Sequence, residues 1–194
     1  MLVIGDVHGK LSQYFELIKN THDSICVGDF GFKKQWDNLH ASCTDRHKIN
    51  MGNHDYYPYL NTSPNSVGDW SYNSGYNLFT VRGANSIDKH LRTEGVDWFS
   101  NEELTYAEGC EAYDNYIQLK PEIVITHDCP QNICRQLSSH HALYEMSITR
   151  QLLQAMFEAH QPKLWLFGHH HMSKEIITEG CKFKCLNELE TYTI

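Results

Sequence analysis

The sequence predicts an α/β protein. Short, wholly apolar runs alternate with segments whose apolar residues recur at helical spacing. The runs end in turns that set glycine beside aspartate, asparagine or histidine. The first half of the chain therefore reads β-α-β-α-β, with a polar loop at the C-terminal end of each strand. In open α/β sheets that edge is where ligands bind.

The elements follow in order. Leu2-Val3-Ile4 is a first strand, apolar and β-branched as in a strand buried on both faces, ending in Gly5-Asp6-Val7-His8-Gly9. Leu11, Tyr14, Phe15, Leu17 and Ile18 then fall on one helical face, so a helix is expected over 10–20. Ser24-Ile25-Cys26-Val27 is a second strand ending in Gly28-Asp29-Phe30-Gly31. A weaker helical pattern (Trp36, Leu39, His40) leads to a strand over 48–51 and the loop Gly52-Asn53-His54-Asp55. The stretch 56–76, rich in Tyr, Asn, Ser, Gly and Pro, reads as a surface excursion with one short strand near Trp70–Tyr72.

Leu78–Val81 is a strand leading to Arg82-Gly83-Ala84. A broken helix is expected over 87–98, and a helix over 101–119 interrupted near Gly109. Ile123–Thr126 is a buried strand ending in His127-Asp128-Cys129-Pro130. Ile148, Leu152, Ala155, Met156 and Ala159 mark a helix over 147–160. The strand 163–167 ends in Gly168-His169-His170-His171. A hairpin over 174–178 and 182–186 turns at Glu179-Gly180, and 191–194 forms an edge strand.

The length, 194 residues, favours one domain over 1–194. The net charge of −8 argues against a broad basic surface for duplex DNA, though not against a nucleotide or strand end held by metal cations. Seven scattered cysteines without a CxxC pair read as reduced, buried thiols. The first residues read as a strand rather than a signal peptide, and no window suits a membrane helix. A cytoplasmic protein without membrane contact is expected.

Potential ligands cluster at strand ends: Asp6 and His8, Asp29, Asn53 and His54, His127, then His169 and His171. All donate through oxygen or nitrogen, a set suited to Zn, Mn, Fe or Co. Asp6-x-His8 and His169-x-His171 can each converge on one ion if the turn is tight. Two neighbouring ions need a shared carboxylate, and Asp29 holds the central position.

These blocks, in this order from residue 6 to residue 171, resemble the signature of the calcineurin-like metallophosphoesterases. The resemblance implies a β-sandwich core flanked by helices and a two-metal phosphoester hydrolase. It assigns Asp6, His8, Asp29 and His171 to a first metal, and Asp29, Asn53, His127 and His169 to a second. It implies two divalent transition-metal ions, Mn first, with Fe, Zn, Ni or Co also suited. A bridging water or hydroxide would attack phosphorus. His54 would protonate the leaving oxygen or stabilise its charge, with Asp55 orienting its ring, and Asn53 would also touch a phosphate oxygen.

The second block departs from the GDxVDRG of phosphoprotein phosphatases, reading Phe30-Gly31-Phe32 after Asp29, and the third ends in Asp55 rather than glutamate. This weakens a protein-phosphatase reading. Compact phage and bacterial members are the nearest resemblance. The expected substrate is a phosphate mono- or diester, small or nucleotide-like, with a nucleic-acid end possible and oligomeric state open.

The alternatives are a nuclease or cyclic-nucleotide phosphodiesterase, which a groove lined by Lys33, Lys34, Arg82 and Arg92 would favour, and a non-catalytic scaffold. Arg82 is a candidate to grip a phosphate or to pair with Asp88. Tyr56, Tyr57 and Tyr59 stack on a base or pack on the core. His170 points away from the ligands, and Asp128 supports a ligand or caps a turn. His90, His140 and His141 are surface residues, and Trp98 and Trp165 core.

Overall fold

The computed structural model describes residues 1–137 and 147–194. The surface reading of His140 and His141 lies outside these residues. Two sheets carry the fold. The first has four strands in the order β10-β1-β2-β3: β1 (Leu2–Ile4), β2 (Ser24–Cys26), β3 (His47–Ile49) and β10 (Thr191–Thr193). The second has six in the order β4-β5-β6-β7-β9-β8: β4 (Trp70–Asn73), β5 (Leu78–Val81), β6 (Ile123–Thr126), β7 (Leu164–Phe167), β8 (Lys174–Thr178) and β9 (Cys181–Cys185). β1, β2 and β3 run parallel, as do β5, β6, β7 and β9.

The period-2 alternation of strand side chains explains the layers. Val3, Ile25, Val27, Leu78, Ile125, Leu166 and Leu186 meet between the sheets. Ile4 and Cys26 turn outward with Tyr14, Ile18, Trp36 and Leu39 of α1 (Leu11–Ile18) and α2 (Lys33–Ser42). Val124, Trp165, Phe167 and Phe183 turn the other way, against Tyr116, Leu153, Met156 and Phe157 of α3 (Tyr106–Leu119) and α5 (Ile148–Ala159). The architecture is the helix-flanked sandwich of two sheets expected from the sequence.

Several elements differ from expectation. α3 runs unbroken through Gly109. A Cβ there would stand 3.6 Å from a Leu152 methyl, an ordinary contact, so the helix simply carries the glycine at a cost of about 1 kcal/mol. Thr105 and Glu108 close a capping box at its start. The broken helix expected over 87–98 is only a 3-10 turn, Lys89–Leu91. Ile87, Leu91 and Val96 are exposed, so no apolar face holds it, and Arg92 and Thr93 bond Asp88 and Asp97 instead. A short helix not read from the sequence, α4 (Gln131–Leu137), buries Ile133, Cys134 and Leu137. Trp165 is core, whereas Trp98 is only half-buried.

The hairpin turns where expected, with Glu179 at φ 51° and Gly180 at φ 79°, the left-handed pair that a tight two-residue turn requires. Asn50 joins the two sheets. Its Nδ2 donates to the carbonyls of Val27 (3.3 Å) and Val81 (3.0 Å), holding the C-terminal edges of β2 and β5 together. No helix of the described residues is long and apolar enough to cross a membrane.

Candidate metal centre

The C-terminal edges of β1, β2, β3, β6 and β7 converge, and the polar loops after them face one another. Four candidate donors sit in left-handed backbone: His8 (φ 46°), Asp29 (φ 51°), His169 (φ 64°) and His171 (φ 48°). Non-glycine residues adopt this conformation at a cost of about 1–3 kcal/mol, and such residues gather at functional sites. The loops are held in place by backbone bonds: His8 N to the Asp29 carbonyl (2.7 Å) and Gly168 N to the His127 carbonyl (3.0 Å).

Two donor groups share Asp29. In the first, Asp6, His8, Asp29 and His171 offer atoms all within 4.8 Å of one another. His8 Nε2 lies 2.8 Å from His171 Nε2 and 3.7 Å from Asp29 Oδ2, and His171 Nε2 lies 3.5 Å from Asp6 Oδ2. In the second, Asp29, His127 and His169 converge within the same limit. His127 Nε2 is 3.1 Å from Asp29 Oδ1 and 3.2 Å from Asn53 Oδ1, which brings the amide to this group.

The residues fit cations. Asp6 and His127 are fully buried, yet Asp6 Oδ1 and His127 Nδ1 have no hydrogen-bond partner among the described residues. These two atoms face each other at 3.8 Å, which leaves Asp6 Oδ2 and His127 Nε2 turned to the donor groups, a set of carboxylate oxygens and imidazole nitrogens suited to divalent cations. Burial lifts the Asp6 carboxyl to about 8, against the pull of His127. Burial opposes charge on His127, but the Asp29 carboxylate, with Asp6 and Asp55 behind it, raises the imidazole to about 10. Burial also drives His169 down to about 3, although Asp128 opposes this. Three glycines keep the floor open. A Cβ on Gly168 would stand 2.0 Å from Asp6 Oδ1, one on Gly52 2.4 Å from Asp29 Oδ1, and one on Gly28 2.1 Å from His127 Nδ1.

His54 stands beside these groups. Its ring lies edge-on to His8, 5.3 Å between centroids, and roughly parallel to Phe32 at 6.3 Å. Its backbone N–H donates to Asp29 Oδ1 (2.8 Å). Burial lowers its pKa; Asp29 opposes this and Arg92 adds to it.

Asp55 does not orient the His54 ring. Its Oδ1 accepts from the Phe30 and Gly31 backbones and from Trp36 Nε1, and its Oδ2 from Gly52 N, so it binds the second and third loops together. The partner of His54 is Arg92, whose Nη2 donates to Nε2 at 2.6 Å while two bonds to Asp88 fix the guanidinium.

Arg82 is likewise corrected as a phosphate ligand. It is 1% exposed and spends its donors on Asp69 and the carbonyls of Asn101 and Glu102, over the Tyr57 ring. Nor does it pair with Asp88. Lys33 pairs with Asp37 and Arg92 with Asp88, so three of the four cations proposed for a basic groove are already partnered by carboxylates. Tyr57 is buried and donates to the Glu102 carbonyl; Tyr56 and Tyr59 pack on each other.

His170 turns from both groups toward Asp128, which also accepts from Arg150 Nε at 2.6 Å. The sequence pointed to neither Ser86 nor Glu102. Asn53 Nδ2 donates to Ser86 Oγ (3.1 Å), and Glu102 accepts from both Ser86 Oγ and N (2.7 Å each), which fixes the amide with Oδ1 toward His127.

The sequence profile described as calcineurin-like phosphoesterase matches residues 1–173, a span that includes every residue of both donor groups. No curated protein matches the sequence. Among solved structures, the phosphopantetheinyl hydrolase of Mycobacterium tuberculosis superposes with a TM-score of 0.58 at 15% identity, over 96% of this chain and 89% of that one. A putative 5'-nucleotidase from Staphylococcus aureus, solved with alpha-ketoglutarate, gives 0.58 at 13% identity, over 96% of this chain and 48% of that one. At these identities the likeness is one of fold.

Proposed function

The chain belongs to the calcineurin-like phosphoesterases, and from that premise we propose that it hydrolyses phosphate mono- or diesters of small or nucleotide-like molecules at a two-metal centre. The observation that carries this reading is the pair of donor groups that share Asp29, with His54 at their side. Asp6, His8, Asp29 and His171 would hold one ion, and Asp29, Asn53, His127 and His169 the other. Divalent ions bound there supply a water acidic enough to attack at neutral pH and offset phosphate charge.

The remaining chemistry belongs to the chain's own groups. Arginine only donates, so His54 Nε2 accepts from Arg92 and the neutral ring carries its proton on Nδ1. From Nδ1 it donates to the leaving oxygen as charge develops, while Arg92 adds a fixed positive charge beside it. Phe32, half-buried next to His54, offers a flat apolar face to the organic part of the ester. The acidic chain and the paired cations favour small esters over a long nucleic acid. His54 and every donor position are filled, which argues against the scaffold reading.

Protein stripped of metal and resupplied with Mn²⁺ is expected to cleave bis-p-nitrophenyl phosphate or p-nitrophenyl phosphate, and to be silent without metal. Cleavage of the diester selects a phosphodiesterase; cleavage of the monoester alone selects a phosphatase. Silence on both with two ions bound per chain would contradict the proposal and favour a scaffold.

A further inference from the structure

A third cluster differs in chemistry from the other two. Cys129 follows β6, Cys134 lies in α4, and His170 sits in the loop after β7. The two sulfur atoms and a ring nitrogen of His170 lie within 4.8 Å of one another. Cys129 Sγ is 3.6 Å from His170 Nε2, and Asp128 Oδ1 is 3.1 Å from the same nitrogen. A tetrahedral zinc ion with Zn–S of about 2.3 Å and Zn–N of about 2.0–2.1 Å sets sulfur and nitrogen about 3.6 Å apart. The spacing of Cys129 and His170 matches this value, and Cys134 lies within 4.8 Å of both.

The surroundings suit a thiolate-bound dication. Both cysteines are fully buried, and the His170 side chain, 9% exposed, leaves a way in from the surface. Two thiolates balance one dication, and the Asp128–Arg150 pair beside them is neutral in itself, so loading buries no net charge. Arg150 Nη1 is buried with no hydrogen-bond partner among the described residues, a donor kept beside the thiols. Thiols that only fill space need neither an imidazole nitrogen turned to sulfur nor a guanidinium alongside.

We propose that Cys129, Cys134 and His170 form a further metal site for a thiophilic divalent ion such as zinc, with Asp128 beside them holding the Cys129 backbone and Arg150 in place. Loading exchanges two thiol protons, released to solvent, for the ion, and His170 binds through neutral Nε2. The ion ties α4 and the turn before it to the loop that carries His169 and His171. It fixes the backbone of two candidate donors from behind and leaves their side chains free for the other centre.

The test uses Co²⁺ titrated into the metal-stripped full chain, with a phosphine keeping the thiols reduced. A near-ultraviolet thiolate-to-cobalt charge-transfer band is expected, saturating at one thiolate-bound ion per chain and erased by zinc. The nitrogen- and oxygen-ligated centre cannot give this band, so the result does not depend on the phosphoesterase reading. Cys134→Ser should remove the band and keep the visible bands of cobalt in the other centre. His170→Asn should weaken binding at least about tenfold. Should Cys134→Ser fail to fold, zinc should slow alkylation of Cys129 and Cys134 of the unaltered chain at a urea concentration that opens the metal-free fold to the reagent, as mapped by mass spectrometry. No charge-transfer band, a band that survives Cys134→Ser, or alkylation indifferent to zinc would overturn the site.

Discussion

Asp29→Asn is expected to lower kcat/KM for the preferred ester at least about a thousandfold, or about 4 kcal/mol of transition-state stabilisation. Bound Mn²⁺ should fall from two ions per chain to one or none. The substitution is chosen for its restraint. Asn tolerates the left-handed φ of 51° at this position, and its amide oxygen can still accept from His54 N. Asparagine lacks the negative charge and a second anionic oxygen. Asp29 Oδ2 faces His8 and Oδ1 faces His127, so a single carboxylate serves both groups and no neighbour replaces it. Atomic absorption with steady-state kinetics measures both effects. Full metal content with full activity in this variant would remove Asp29 from the centre.

His54→Ala is the second large effect, and it has the opposite signature. Turnover should fall about 10²–10³-fold while bound metal stays at the unaltered level. His54 contributes its backbone N–H to Asp29, which alanine keeps, and its Nε2 is turned to Arg92 rather than to either donor group. Arg92→Ala should lose part of the same stabilisation. The two losses should not add in the double variant, because the groups act through one contact. Loss of metal in His54→Ala would make the residue a ligand; unchanged turnover would exclude it from the reaction.

The donors were legible because each lies in a local pattern. A strand end, a glycine and a polar side chain within a few residues mark Asp6, Asp29, Asn53 and His169 without knowledge of the fold, and His127 is marked by its strand end and the Pro130 that follows. The helices with a clear apolar stripe, such as α1 and α5, were legible for the same reason. Partnerships across long sequence distances were not. Asp55 reaches back to Phe30, Gly31 and Trp36, and Arg92 reaches His54 across 38 positions. Ser86 and Glu102 meet Asn53 only after the chain has folded.

Arg82 shows the same limit in reverse. A cation just after a strand, near a proposed phosphate, is buried against Asp69 because the turn before β4 folds over it. Gly109 reads as a helix breaker, yet α3 continues through it, because one glycine costs a packed helix only about 1 kcal/mol. α4 has too few residues for a helical period to stand out.

The central claim, two cooperating ions joined by Asp29, is tested most directly by titrating Mn²⁺ into stripped protein while binding and ester hydrolysis are followed together. Mn²⁺ prefers oxygen and nitrogen donors, so the cysteine cluster does not compete for it. The account predicts two bound ions per chain, with turnover rising as the second ion binds and not with the first. Turnover that is complete with one ion, or that needs none, would contradict it.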